Sequence, residues 1–454
     1  MFDLFVKEKN SDIPAIKSEE ICVSYKQLYQ LLYRNQLYLQ NCGYIAGEHV
    51  IIHAKTQVGF ALSILSMLSL GTWVVPVNKA VPQEELQGIS IAVSAKIMKE
   101  EEIESCSRCL GEMLDGDILL PDEDKCGIFH MTSGSTGIPK YCVRRLYDFM
   151  LESFSFQQIF DYKPGYKVLS LCPLEHSFAS GAVLFNCFNF GGTLCIIEEF
   201  NPKKILKFIE DNLVNNLIMV PSMLRLFNRL YLKGRKIDSI DFVLVGSGVM
   251  QEKDVKNFQR NFGCHVYSNY GSSESGCVIT SLKEWVDKSA GVAMPGVALK
   301  LCDDNYNLVT EGDGQLYIKC SWMFSGYYGK KDVFTKDGFF TLGDIARIDD
   351  KGNVFIVGRK ENFVKINGKK VNCVEVEDEI KALHNVLDCK VIGCKKDNND
   401  EYIKAYVEAQ DVDEKELRQE IYSHLAKHKR PEKIIIVDLL PRNLMGKIML
   451  NELV

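Results

Sequence analysis

The chain does not open on an apolar run: Met1–Asn10 already carries Asp3, Lys7, Glu8 and Lys9. No secretory leader is expected, and a cytoplasmic location is. Neither sign of charge is in excess, with 54 Lys and Arg against 60 Asp and Glu and a net charge of −6. A general nucleic-acid binder needs a basic face to release phosphate counterions, so no nucleic-acid partner is expected. Cysteine is not scarce at 16 residues, but Cys106 and Cys109 form the only C-x-x-C pair, with no second pair or histidines at zinc spacing. The cysteines read as thiols in a reducing compartment rather than disulfides or metal ligands. Internal repeats and low-complexity tracts are also missing. One charge-free stretch, Gly59–Pro76, is about long enough for a bilayer. Ser63, Ser66 and Ser69 recur within it, and Gly71 and Pro76 interrupt it. A core helix ending at Gly71 and a buried strand Thr72–Val75 account for it, so no membrane span is expected.

A chain of 454 residues, 46% hydrophobic and 25% charged, has the composition of a globular protein with two or three domains. Asn201-Pro202 supplies a helix N-cap followed by proline at the first helical position. Ile205, Leu206, Phe208, Ile209 and Leu213 then give that helix an apolar face. A strand Leu217–Val220, a helix Ser222–Leu232 and a strand Phe242–Val245 follow. A polar helix near Gln251–Asn261 and a strand His265–Ser268 complete the alternation. This predicts an α/β fold with doubly wound parallel βα units. Such sheets bind ligands beyond the carboxyl ends of their strands, here the loops Gly246–Val249 and Tyr270–Glu274. After Gly338 short strands (354–357, 363–366, 389–394, 402–408, 434–437) alternate with helices near 374–383 and 414–426. They read as a small α+β domain. The expected division is a large multi-sheet domain over 1–358 and a small C-terminal domain over 359–454.

The strongest local signal is Met131–Lys140, MTSGSTGIPK. Glycines permit tight turns whose N–H groups face an anion, hydroxyls add donors and lysine adds positive charge. This chemistry suits ATP phosphates. It is not a P-loop of the Lys-Ser/Thr type, because Tyr141 follows Lys140.

TSGSTG-x-PK resembles the signature of the AMP-forming adenylating superfamily: acyl-CoA synthetases, nonribosomal peptide synthetase adenylation domains and luciferases. The resemblance covers nearly the whole chain. Ser24-Tyr25–Leu28, Leu68–Pro76, Pro173–Gly181 (PLEHSFASG) and Tyr270-Gly271-Ser272-Ser273-Glu274 resemble further family motifs, in the family's order. So do Gly343-Asp344, Gly358-Arg359 with Lys365 and Gly368, and Pro441-Arg442 with Gly446-Lys447. The family's usual Thr before Gly-Asp is Leu342 here, and Glu361-Asn362 stands in place of the common Asp-Asp.

The resemblance implies a site residue by residue. Thr132, Ser133, Gly134, Ser135, Thr136, Gly137 and Lys140 cradle the ATP phosphates. Glu274 holds Mg²⁺, as a carboxylate suits a hard cation. Tyr270 and Gly271 pack on adenine, Ser273 donates to the α-phosphate, and Ser247 and Gly248 lie between adenine and the acyl pocket. Asp344 accepts from the ribose hydroxyls, and Arg359 reaches ribose or phosphate. Lys447 is the adenylation lysine of a small mobile domain turning about Glu361, and Lys365 to Gly368 serve thioester formation. His176 lies near the substrate carboxylate, with Phe178, Val249 and Met250 lining the acyl pocket. No Asp matches the pattern that pairs with an amino-acid ammonium, so an acyl or aryl acid is expected.

The implied activity is ATP-dependent formation of an acyl-AMP, then of a thioester. No carrier-protein attachment sequence occurs in the chain, so the acceptor is coenzyme A or the phosphopantetheine of a separate acyl carrier protein. A stand-alone enzyme loading such a carrier, and a non-catalytic nucleotide- or acyl-binding homologue, are the alternatives.

Overall fold

Apolar segments bounded by Gly, Pro and Asn become strands and buried helices in the computed structural model of the chain. It describes residues 1–454 except 109–113, 134–138, 231–236, 249, 282–284, 331–332, 367–368, 397–400, 410–411, 443–447, 450, 451 and 454. The chain divides into two compact units. The first holds residues 1–299, 318–340 and 348–355, and the second holds 300–317, 341–347 and 356–454.

In the first unit, two sheets position the loops of interest. The larger contains five parallel strands, Lys167–Ser170, Thr193–Cys195, Asn216–Met219, Phe242–Gly246 and His265–Ser272. Numbered in chain order, they lie side by side as 2-1-3-4-5. The order reverses between Lys167–Ser170 and Asn216–Met219, the kind of switch point at which open α/β sheets leave a crevice. The crossover helix Pro202–Asn212 is capped by Asn201, whose side chain accepts from the N–H groups of Lys203 and Lys204. The helices Pro221–Leu230 and Glu252–Phe262 bury Leu224, Phe227, Val255 and Phe258 under the sheet.

The second sheet carries the Ser/Gly/Thr segment. Its strands run Gly326–Tyr327, Pro139–Arg145, Gly127–Ser133, Trp73–Pro76, His49–Ile52 and Lys96–Ile97 across the sheet. Gly127–Ser133 and Pro139–Arg145 form an antiparallel hairpin in which Thr132 faces Lys140.

The charge-free stretch is a core helix, Gln57–Ser69, and a strand, Trp73–Pro76. Thr56 caps the helix by accepting from the Gly59 N–H, and Gly71 takes the left-handed conformation that ends it. Two of its serines are hydrogen-bonded within the core: Ser66 donates to the Leu62 carbonyl and accepts from Asn35, and Ser69 donates to the Ser66 carbonyl, whereas the buried Ser63 hydroxyl has no partner among the described residues. Among the described residues, no helix is long and apolar enough to cross a membrane.

In the second unit, Val386–Lys395 and Glu401–Ala409 pair antiparallel, and Lys433–Val437 joins the latter in parallel. Helices Cys373–Lys381 and Glu414–His424 bury Val376, Ile380, Leu417 and Ile421 in a core shared with that sheet. The hairpin Phe363–Ile366/Lys369–Asn372 precedes them.

Leu65 lies at the centre of the buried helix with no exposed surface. Leu65→Ala removes side-chain burial and leaves a cavity, so a loss of about 2–5 kcal/mol is expected. Denaturant unfolding of the first unit measures it, and a loss within error of zero contradicts the core assignment.

Candidate active site

The turn after His265–Ser272 brings the site's polar groups together. The sequence reading ends this strand at Ser268 and makes Tyr270–Glu274 a loop. In the structure the strand continues to Ser272 and pairs antiparallel with Gly276–Thr280. The extension is possible because Gly271 has no side chain: a Cβ there would lie 2.1 Å from the Gly276 carbonyl oxygen. The Ser272 hydroxyl accepts from the N–H groups of Glu274 and Ser275, which tightens the turn.

Glu274 is therefore fixed, and it is only 6% exposed. A buried carboxylate needs polar partners, and the Tyr327 hydroxyl donates to its Oε1 at 2.7 Å. Burial and the Glu274 charge push the Tyr327 phenol above its ordinary pKa, so it stays protonated and donates. The Lys140 Nζ lies 5.2 Å from the centroid of the same ring. One tyrosine thus touches both the acidic turn and the basic end of the signature hairpin. It owes its place to the strand Gly326–Tyr327, which pairs with Pro139–Arg145 so that Tyr327 faces Cys142.

Other predicted residues converge on the same turn. The Ser273 hydroxyl donates to the Ser177 hydroxyl at 2.8 Å, which joins the turn to the segment containing His176 and Phe178. His176 is solvent-exposed, and its Nδ1 accepts from the Phe178 N–H at 3.4 Å. Protein crowded around the ring lowers its pKa, and the Glu175 carboxylate raises it partly back. The Phe178 ring covers Gly246, where a Cβ would come within 2.8 Å of it. Beyond Gly246, Ser247 is held in the left-handed region at φ +63° with Gly248 exposed beside it. Met250 is buried in the core beneath this loop, away from open surface. Thr132 is half-buried on the hairpin, and its hydroxyl lies 3.4 Å from the Lys140 carbonyl oxygen. Tyr270 is half-buried on the extended strand. Gly134, Ser135, Thr136, Gly137, Val249, Gly368 and Lys447 lie outside the described residues, as do the side chains of Ser133 and Lys365.

Within the second unit, Asp344 and Arg359 form an ion pair at 3.1 Å, Oδ1 to Nε, with side chains 7% and 50% exposed. Gly343, at φ +84°, turns the chain into Asp344. The Thr341 hydroxyl accepts the Gly343 N–H.

Sequence reasoning missed Tyr327, Ser177, His130, Arg144 and Glu152. A local signal existed for Arg144. Lys140, Cys142 and Arg144 alternate along a strand, so one face of it is polar and points inward. The donor set suits a nucleotide carrying a divalent cation: a buried carboxylate in a glycine turn, a lysine on the adjoining hairpin, and serines between them.

A mixed α/β chain in which a buried carboxylate turn and a lysine-bearing hairpin meet at Tyr327, on a sheet with a strand-order switch, has the features of a nucleotide-binding α/β protein. The family model for AMP-binding enzymes matches residues 4–328, and the model for the C-terminal domain of these enzymes matches residues 375–447. The chain belongs to the AMP-binding enzyme family. It is 24% identical over 290 residues to 2-succinylbenzoate–CoA ligase of Lactococcus lactis, covering 63% of this chain and 61% of that one. It is 30% identical over 344 residues to long-chain-fatty-acid–CoA ligase of Yersinia pestis, covering 71% and 60%. The matched stretch thus spans about six-tenths of these relatives' length. The fold is that of O-succinylbenzoate coenzyme A synthetase from Bacillus subtilis in complex with ATP and magnesium ion. There the TM-score is 0.85 at 20% identity, covering 99% of this chain and 98% of that one. ATP-bound MatB from Rhodopseudomonas palustris matches with a TM-score of 0.82 at 23% identity, covering 99% and 97%.

His130, buried on the first strand of the hairpin with its Nε2 3.3 Å from the Ser180 hydroxyl, has its pKa driven well below 6.5 by burial, then by the Arg144 charge. The folded protein keeps it neutral while the unfolded chain protonates it. Its contribution to stability is therefore complete above pH 6.5 and falls as pH drops below that value. The loss reaches up to about 1.4 kcal/mol per pH unit. His130→Gln should show a shallower decline in unfolding midpoint on the acid side, and equal slopes contradict the assignment.

Proposed function

We propose that the chain is an ATP-dependent acid–thiol ligase. A carboxylate oxygen attacks the α-phosphorus of ATP, the bond to the β-phosphate oxygen breaks, and acyl-AMP and pyrophosphate result. A thiolate then attacks the acyl carbon, the carbon–oxygen bond to AMP breaks, and a thioester forms. The mixed anhydride is needed because a free carboxylate is a poor acceptor for a thiol.

The observation that carries this reading is the meeting of Glu274 and the signature hairpin at Tyr327. Phosphoryl chemistry is governed by positioning and charge neutralisation. Glu274 would hold Mg²⁺, which would supply positive charge to the phosphates. Lys140 and the hairpin hydroxyls hold the phosphates, and Ser273 and Tyr270 orient the nucleotide. Asp344 receives the ribose hydroxyls, already oriented by its pairing with Arg359. His176 and Phe178 face the acid. The lack of an Asp in the sequence pattern that pairs with an amino-acid ammonium, together with the acyl- and aryl-CoA ligases among the relatives, favours an acyl or aryl acid and coenzyme A. A carrier protein's phosphopantetheine offers the same thiol chemistry. The cytoplasmic setting expected from the sequence belongs to the same reading.

Residues 359–454 act as the smaller domain in this account. Lys447 serves adenylation and the Lys365–Gly368 stretch serves thioester formation. ATP–pyrophosphate exchange across fatty, aryl and amino acids, with and without coenzyme A, tests the reading, and a protein that binds ATP yet supports exchange with none of the acids would overturn it. Lys447→Ala should lower exchange at least a hundredfold while ATP binding persists. Lys365→Ala should slow thioester formation from preformed acyl-AMP more than it slows exchange, and equal losses in the two half-reactions count against the division of labour.

A further inference from the structure

A buried ion pair lies behind the acidic turn and has no part in the chemistry above. Arg144, on the strand that carries Lys140, places Nη2 2.7 Å from Oε2 of Glu152, and both side chains are 1% exposed. Glu152 belongs to the helix Leu146–Ile159. Its other oxygen, Oε1, accepts the Cys277 N–H at 2.7 Å. Cys277 is three residues beyond Glu274, and its carbonyl accepts the Trp322 indole N–H at 3.2 Å. The carboxylate also fills space left by glycine. A Cβ on Gly276 would come within 2.9 Å of Glu152 and 3.0 Å of Arg144, and Gly276 adopts φ +64°. A Cβ on Gly181 would also lie 2.9 Å from Oε2.

The same strand grips the turn a second time, through Cys142 Sγ, which donates to the Ser273 carbonyl at 3.0 Å. Lys140, Cys142 and Arg144 share one face of the strand by its two-residue period. One strand therefore ends on the signature lysine, touches the acidic turn at Ser273, and anchors the exit of that turn through Glu152.

We propose that Glu152, held by Arg144, is a positioning residue that sets Glu274 at the height where the divalent cation of the nucleotide binds. The inference rests on the proposed function, because it takes Glu274 as the cation ligand. A buried pair can often be replaced by apolar residues of similar volume with little loss of stability, whereas removing one partner strands a charge. Two double variants separate positioning from folding. Arg144→Met with Glu152→Gln keeps a carbonyl oxygen for the Cys277 N–H. Arg144→Met with Glu152→Met removes it.

Calorimetric titration with ATP in Mg²⁺ and in EDTA is the binding readout, with Trp322 fluorescence in a Trp73→Phe, Trp285→Phe background as the local one. The Met/Met variant should bind Mg-ATP at least tenfold more weakly, bind ATP in EDTA like the wild type, and shift the Trp322 emission. The Met/Gln variant should stay within threefold of the wild type. Equal Mg-ATP affinity in wild type and both variants overturns the proposal. So does equal weakening in both variants, or a Met/Met variant that fails to fold, since the acceptor then serves the fold and not the turn. A wild-type protein that binds no Mg-ATP overturns the proposed function and this inference with it. Wild-type binding that both variants preserve overturns the inference alone.

Discussion

The structure around the site depends on a carboxylate that is kept out of water at the tip of a tight turn. Glu274 is reached by Tyr327 across 53 residues of chain. That reach requires the strand Gly326–Tyr327 to lie along the edge of the signature hairpin. The acidic turn itself requires Gly271 to let the strands His265–Ser272 and Gly276–Thr280 approach, and Ser272 to close it. Moving any of these exposes or strands the carboxylate, and an unpaired buried charge is among the costlier defects a fold can carry.

The parallel sheet explains why the other loops arrive at the same place. With five of its strands in the spatial order 2-1-3-4-5, the carboxyl ends of strands one and three flank a switch point. The chain leaves the first at Ser170 and soon reaches His176 and Phe178. It leaves the fourth at Gly246 and the fifth at the acidic turn. Contacts between Phe178 and Gly246, and between Ser177 and Ser273, stitch these exits together. The segments are distant in sequence, and the sheet makes them neighbours.

Much of this was legible in the residues. The helix beginning at Asn201-Pro202, the alternation through His265 and the small α+β region after Gly338 follow from caps, periodicity and glycine positions. The charge-free stretch resolved as helix and strand because Ser66 and Ser69 bond to backbone and Gly71 ends the helix. Boundaries shifted where a tertiary partner extended an element. The strand from His265 runs four residues past Ser268 because Gly276–Thr280 pairs with it. The helix read from Ser222 begins at Pro221.

The sequence alone determined which residue types could meet phosphate: glycines, hydroxyls and a lysine within one decapeptide, and an acidic turn after a buried strand. Those properties are local, because turn geometry and hydrogen-bonding capacity reside in adjacent residues. Only the tertiary structure decided that Tyr327 partners Glu274, that Ser177 meets Ser273 and that Glu152 holds Cys277 across 125 residues. Such pairings are set by which sheet edges and strand ends pack together. Their energy comes from burial and from closing hydrogen bonds out of water, and neither leaves a periodic mark along the chain.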